Sequence, residues 1–138
     1  MKFDWNDLLI QPAYQSQITS RSQINLFRPF PLMTAPMDTV INSENEDIFK
    51  NAGIIPVLPR GVDPANPWDS FWSIGLDRFL EMAEGKQSEF KSHKILVDIA
   101  NGHMEIITKA IPGFLKHFPN FELMVGNVAN PETFKVLA

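Results

Sequence analysis

An aspartate follows an apolar run near the middle of the chain, in a pattern typical of strand-end ligand sites. Ile95–Val97 leads into Asp98, and a small polar turn then precedes a helix-like segment from Met104. Open α/β sheets and α/β barrels place ligand-binding groups at the carboxyl ends of strands, just before helices. Taken alone, Asp98 would be better explained as the N-cap of that helix.

A second predicted strand ends in a similar way at Gly126-Asn127-Val128. Two polar strand ends that lie one helix apart predict a shared site. Without further support, Asn127 could equally end its strand by bonding to the backbone. His103 is interpreted as a helix-start residue rather than a metal ligand, because His93 and His117 show no ligand spacing with it.

Composition limits the classes of function that this chain can have. It has 138 residues, is 44% hydrophobic and 20% charged, and carries a net charge of −4, which fits a globular domain with one core. Scattered Lys and Arg residues and the acidic balance argue against nucleic acid as a partner. No signal peptide or membrane-spanning run is present, so we expect a cytoplasmic protein with no membrane partner. The absence of cysteine excludes disulfides, thiolate metal sites and a cysteine nucleophile within these residues.

Strands alternate with helices along the chain, which predicts a parallel sheet with right-handed crossovers. The predicted strands are Pro31–Pro36, Ile54–Leu58, Ser70–Leu76, Ile95–Ala100 and Phe121–Val128, with Asp7–Tyr14 as an edge strand or clamp outside the core. The predicted helices are Asn42–Asn51, Asp77–Gln87, Met104–Phe118 and Pro131–Ala138. Polar residues 15–23 and the Pro- and Gly-rich segment Arg60–Asp69 are predicted to be loops.

Two of the predicted helices have a distinctive charge or residue pattern. Glu44, Glu46 and Asp47 are interpreted as a solvated charged face near a helix N-terminus. The apolar residues of Met104–Phe118 fit one helical face, and Pro112 within it predicts a kink.

Four segments, in this order, resemble the IMP dehydrogenase / GMP reductase family. They are Asp7-Leu-Leu-Ile-Gln-Pro-Ala13, Ala35-Pro-Met-Asp-Thr-Val40, Val97-Asp-Ile-Ala-Asn-Gly-His103 and Gly126-Asn-Val128. The resemblance implies a (β/α)₈ TIM barrel, of which this chain covers about strands one to five. Residues 1–138 would then be the N-terminal portion of a single catalytic domain. Only Arg60–Asp69 fills the position of the CBS insertion, so no such module is expected.

The resemblance also implies roles for individual residues. Met37 and Asn127 match residues that contact a purine nucleoside monophosphate, and Ala35 stands where dehydrogenases often have a serine contacting the same nucleotide. The segment Asp98, Ile99 and Ala100 matches the part that holds the nicotinamide cofactor, NAD or NADP. Ser20 and Arg21 resemble a reductase motif that reaches a neighbouring subunit's cofactor. Arg60 stands where the family often has a lysine or asparagine after the second strand, and the resemblance assigns it to the cofactor as well.

The family chemistry uses a cysteine thiolate that attacks C2 of the purine while hydride passes to or from the nicotinamide. That cysteine follows the sixth strand, so no catalytic residue and no metal ligand is expected within this chain, and the 138 residues alone are expected to be inactive. A closed barrel needs about 250 residues, and the chain stops inside its last predicted helix. We therefore expect it to be part of a longer protein. The resemblance implies that this protein is a homotetramer, with any potassium site beyond these residues.

The direction of the reaction is less clearly marked. Pro36 is typical of the dehydrogenase, whereas Ser20-Arg21-Ser22 and Asp98-Ile-Ala-Asn-Gly resemble the reductase. Pro36 and the Asp38 turn favour NAD-dependent oxidation of IMP to XMP. The alternatives are NADPH-dependent reduction of GMP, and a non-catalytic half-barrel that binds a nucleotide or a partner chain.

Overall fold

Strands and helices alternate in the part of the chain that the structure describes, except that a loop and not a helix joins the first two of its four parallel strands. A computed structural model describes residues 17, 19–20, 32–86 and 89–138. The chain divides into two compact units, Met1–Phe30 and Pro31–Ala138. The helices of the second unit are α1 (Glu46–Asn51), α2 (Leu76–Ala83), α3 (Glu105–His117) and α4 (Pro131–Leu137). Its strands are β1 (Val57–Leu58), β2 (Phe71–Ile74), β3 (Lys94–Asp98) and β4 (Glu122–Gly126).

The strands lie in the sheet in the same order as in the sequence, β1-β2-β3-β4, and every pair is parallel. A parallel bridge between Met33 and Ile55 precedes β1, so five chain segments follow one another in strand order. This alternation is the arrangement from which (β/α) barrels are built, and it confirms the predicted α/β fold. None of the described helices is both long and apolar enough to cross a membrane.

Each face of the sheet has its own apolar cluster, because successive residues of a strand point to opposite sides. Trp72, Ile74, Ile95 and Val97 pack with the helices on one face. Val57, Phe71 and Leu96 form the second cluster on the other face. Asp98 follows Leu96 at the alternation of that second face, so its carboxylate stands at the end of the face that a barrel would enclose.

Helices α2 and α3 cover the first face and approach each other closely at a glycine. Phe79 and Met82 of α2 and Ile107 and Phe114 of α3 are fully buried in this cluster. A Cβ atom at Gly113 would lie 2.6 Å from the carbonyl oxygen of Ala83, so the backbones can meet only because Gly113 has no side chain. The apolar face predicted for α3 includes residues that the core does not cover, since Ile106 and Leu115 are exposed. The helix runs through Pro112.

The predicted strand Pro31–Pro36 is wrong in extent. Within the described part of the segment, only Met33 is paired, and Leu32 is exposed. Proline has no N–H to donate to a ladder, and the bridge accordingly uses the N–H of Thr34 and the carbonyl of Leu32 on Ile55. The predicted edge strand Asp7–Tyr14 lies outside the described residues.

The interpretation of Glu46 as part of a solvated charged face is also wrong. Glu46 is 1% exposed. Its carboxylate accepts hydrogen bonds from the Ser70 hydroxyl and, at 3.0 Å, from the backbone N–H of Ala65. These hydrogen bonds to Glu46 therefore connect the loop between β1 and β2 to α1.

Lys50 joins the same region from the last turn of α1. Its ammonium lies 3.0 Å from the Asp47 carboxylate, 3.3 Å from Asp69 and 4.0 Å from Glu46. The hydrogen bond with Asp47 raises the pKa of Lys50, with smaller contributions from Asp69. The ammonium therefore remains charged at neutral pH, and it partly balances the buried carboxylate.

Trp68, Phe71 and Trp72 have different environments. Phe71 and Trp72 are buried in the sheet. Trp68 is 60% exposed and stacks on the ring of His93, with the ring centroids 3.6 Å apart.

Candidate functional site

The candidate site lies at the carboxyl edge of the sheet. Because the strands are parallel, the segments that follow them start at the same edge. These segments begin at Pro59, Gly75, Ile99 and Asn127. Parallel α/β folds bind ligands at this edge.

Arg60 and Asp98 form an ion pair across the end of β2. Arg60 Nε lies 3.6 Å from Asp98 Oδ2, and Arg60 Nη1 lies 3.7 Å from the position that a Cβ of Gly75 would take. The absence of a side chain at Gly75 leaves room for the guanidinium to reach across. The Arg60 side chain is 62% exposed and that of Asp98 is 28% exposed. The pair therefore offers a carboxylate acceptor and a guanidinium donor to solvent at one position.

The turn after β3 is joined to the turn after β4 by three backbone hydrogen bonds. Ile99 N–H donates to Gly126 O at 2.9 Å, Asn127 N–H donates to Ile99 O at 2.6 Å, and Gly102 N–H donates to Asn127 O at 2.8 Å. Both backbone polar groups of Asn127 are thus fixed. Its side chain is exposed and has no hydrogen bond within the described residues, so the carboxamide is available to a ligand.

Gly102 allows these two turns to meet. A Cβ atom there would lie 2.7 Å from Asn127 O and 2.9 Å from Val128 Cγ2, which is closer than real side chains come. Glycine is the residue that permits such backbone contact.

His103 has a role that the sequence interpretation missed. Its Nε2 accepts the backbone N–H of Ala129 at 3.1 Å, and its Nδ1 lies 2.9 Å from Thr133 Oγ1. Both partners are more than 25 residues away along the chain, so no local spacing could have indicated them. The one available signal was a polar ring placed directly after the Asp98 turn.

Ala35 and Met37, two of the three residues assigned to the nucleotide from the resemblance, lie in a turn after the Met33 bridge. Met37 N–H donates to Ala35 O, and Met37 O accepts from Val40 and Ile41. Both residues are exposed, Met37 to 53%. The hydrogen bonds of this turn are internal, so they do not bring Met37 into contact with Asn127.

The structure describes some, but not all, of the other residues that were assigned to the cofactor from the resemblance. Ile99 and Ala100 lie in the joined turn described above. Ser20 is exposed in the first unit, and Arg21 lies outside the described residues. Among residues 32–86 and 89–138, no group of three or more His, Asp or Glu side chains is placed to hold a metal ion.

Curated proteins with similar sequences are GMP reductases. GMP reductase 2 of Bos taurus is 24% identical over 99% of this chain and 46% of its own length. GMP reductase of Phytophthora infestans is 26% identical over 99% of this chain and 44% of its own length. The chain therefore spans less than half the length of the curated relatives that it matches. No protein-family model matches the chain.

A solved structure with a similar fold is inosine 5′-monophosphate dehydrogenase from Legionella pneumophila. The TM-score is 0.61 at 23% sequence identity, and the match covers 78% of this chain and 36% of the other. This likeness confirms the fold expected from the sequence, part of a (β/α)₈ barrel. The chain is therefore similar in sequence to GMP reductases and similar in fold to an IMP dehydrogenase.

Proposed function

We propose that this chain forms the cofactor side, and part of the substrate side, of an oxidoreductase that acts on a purine nucleoside monophosphate with a nicotinamide cofactor. The ion pair between Arg60 and Asp98 is the observation that carries the proposal. Both residues had been assigned to the cofactor from the resemblance, and the fold brings them within 3.6 Å although they are far apart in sequence.

The donors and acceptors at this position suit a dinucleotide. A half-buried carboxylate such as Asp98 accepts hydrogen bonds from ribose hydroxyls, and an exposed guanidinium such as Arg60 binds phosphate oxygens. The bound nicotinamide would supply the hydride chemistry. The purine nucleotide would contact the exposed Met37, the neighbouring Ala35 and the carboxamide of Asn127.

For the direction of the reaction, we favour reduction of GMP with NADPH. The segment Asp98-Ile-Ala-Asn-Gly is of the reductase type, and the curated relatives described above are named GMP reductases. Oxidation of IMP with NAD is the second candidate, and Pro36 supports it. Turnover of the protein that contains this chain should be measured with GMP plus NADPH and with IMP plus NAD. Turnover with IMP plus NAD but not with GMP plus NADPH would show that the protein oxidises IMP. Turnover with neither pair would contradict the proposed function.

If Asp98 binds the cofactor, the substitution Asp98→Asn should weaken cofactor binding. The substitution keeps the shape of the side chain but replaces one carboxylate oxygen, a charged hydrogen-bond acceptor, with an amide NH2 group. It also removes the negative charge that pairs with Arg60. Loss of a charge-assisted hydrogen bond costs about 1.5 to 3 kcal/mol, so the Kd of the preferred cofactor should rise roughly 10- to 100-fold. The measurement is calorimetric titration with NADPH and with NAD.

Glu105→Gln is the matched control for this experiment. Glu105 is an exposed acid at the start of α3 that pairs with Lys109, so its neutralisation changes the net charge equally without touching the site. Equal cofactor affinity in the Asp98→Asn and Glu105→Gln proteins would argue that Asp98 only shapes its turn.

We further propose that residues 1–138 belong to one catalytic domain, completed by other chain segments, and that the whole protein is a homotetramer. An apolar groove of about 400 Å³ along β4 supports the first point; it is lined in part by Ile111, Leu115, Leu123, Phe134 and Leu137. Ser20 and Arg21 would then reach the cofactor of a neighbouring subunit. A sedimentation experiment on the protein would test the tetramer.

A further inference from the structure

We infer that His103 is a positioning residue for Asn127, acting through the loop between β4 and α4. This inference rests on the proposed function for the role of Asn127, but the contacts of His103 do not depend on it. The loop, residues 127–130, follows β4 and carries the exposed carboxamide of Asn127. Separate hydrogen bonds hold the two halves of this loop in place.

The first half of the loop is held by backbone alone. The N–H and carbonyl of Asn127 bond to Ile99 and Gly102, as described above. The second half has a different attachment. At Ala129 the backbone N–H donates to a side chain, His103 Nε2, at 3.1 Å.

The geometry assigns the tautomer of the ring. Because Nε2 accepts the N–H of Ala129, it carries no proton, and the proton of the neutral ring then lies on Nδ1. Nδ1 therefore donates to Thr133 Oγ1 at 2.9 Å. One imidazole thus joins the loop to α4, with a separate hydrogen bond on each side.

Thr133 is itself fixed by the cap of α4. The side chain of Asn130 accepts from the backbone N–H of Glu132 at 2.8 Å and of Thr133 at 3.1 Å, which is the pattern of a helix N-cap. On the other side, the backbone N–H of His103 donates to Asn101 Oδ1 at 3.1 Å. Both ends of the connection are therefore anchored to a turn of defined shape, and the ring spans the space between them.

This arrangement gives His103 a function that its exposed position does not suggest. Without the ring, the hydrogen bonds between described residues that remain to hold this loop would be those of Asn127 and those of the helix cap. The Asn127 side chain would then sample more orientations, and a purine nucleotide would have to fix it on binding. Pre-organisation of this kind strengthens binding by lowering that entropic cost.

The test compares His103→Phe with two conservative variants in the complete protein. Phenylalanine keeps the ring volume and removes both hydrogen bonds. Glutamine can return an acceptor near the Nε2 position, and asparagine can return a donor near Nδ1. We expect His103→Phe to raise amide exchange at Ala129 about fivefold and to weaken GMP and IMP binding by a similar factor. We expect His103→Gln to restore both properties and His103→Asn to restore neither.

Two further variants separate local packing from positioning. His117→Phe, at the exposed far end of α3, should change neither readout. In an Asn127→Ala background, His103→Phe should cause no further loss of GMP or IMP affinity, because the residue acts through Asn127.

Each failure has a distinct reading. Unchanged exchange at Ala129 in the His103→Phe protein would overturn the inferred connection. Faster exchange with unchanged GMP and IMP affinity would show that His103 holds the loop but does not position Asn127, which also overturns the inference. Failure of the unsubstituted protein to bind GMP or IMP would instead contradict the proposed function, while the exchange measurement would still decide the role of the ring.

Discussion

Replacing Glu46 with alanine is expected to lower the free energy of unfolding by about 2 to 4 kcal/mol. The substitution removes the acceptor of two hydrogen bonds, from the Ser70 hydroxyl and from the Ala65 N–H. Ser70 is fully buried, so water cannot replace the lost partner without opening the structure. The loss should appear as a lower midpoint in urea unfolding followed by tryptophan fluorescence.

Two variants show whether the carboxylate itself is responsible. Glu46→Gln can keep both contacts, because its amide donates to the Ser70 oxygen while its carbonyl accepts from Ala65, so its cost should be about 1 kcal/mol. Glu44→Ala removes an exposed acid two residues earlier and should change stability by less than about 0.5 kcal/mol. Equal midpoints for Glu46→Ala and Glu44→Ala would refute the role of Glu46.

Gly102→Ala is expected to destabilise the protein by about 1 to 3 kcal/mol and to displace Asn127. The added methyl group would lie 2.7 Å from Asn127 O and 2.9 Å from Val128 Cγ2. One of these contacts is with backbone, which cannot rotate away as a flexible side chain could. The two turns must therefore separate, and the hydrogen bond from Gly102 N–H to Asn127 O should be lost. The urea midpoint and the amide chemical shift of Asn127 report these two effects.

Gly126→Ala is the matched control, because it adds the same methyl group one residue before Asn127. A Cβ at Gly126 meets no atom within 4 Å, and the residue does not have a positive φ. We expect little change in either measurement. If both alanine variants behave alike, the close contact at Gly102 does not control the position of Asn127.

The order of elements could be predicted from the sequence because it depends on local patterns. Apolar runs located β2, β3 and β4, and helical periodicity located α3. The segment around Met33 was less predictable, since its apolar run is interrupted by prolines whose effect on pairing depends on which N–H groups face the neighbouring chain.

The errors concerned residues whose partners are distant in sequence. Glu46 has the composition and position of a solvated helix acid, and only Ser70 and Ala65, 24 and 19 residues away, bury it. His103 likewise depends on Ala129 and Thr133. The Arg60–Asp98 ion pair was not predicted, because the two residues belong to the ends of β1 and β3 and no local pattern shows which side chains meet across the intervening β2.

The agreement between sheet order and chain order has a consequence for how this protein forms. Each strand pairs with the one that precedes it in the sequence, so during synthesis a newly emerged strand finds its partner already present. Contacts between segments close in sequence lower the entropic cost of folding. No strand of this sheet therefore has to wait for a partner from a later part of the sheet before it can pair with the strand that precedes it.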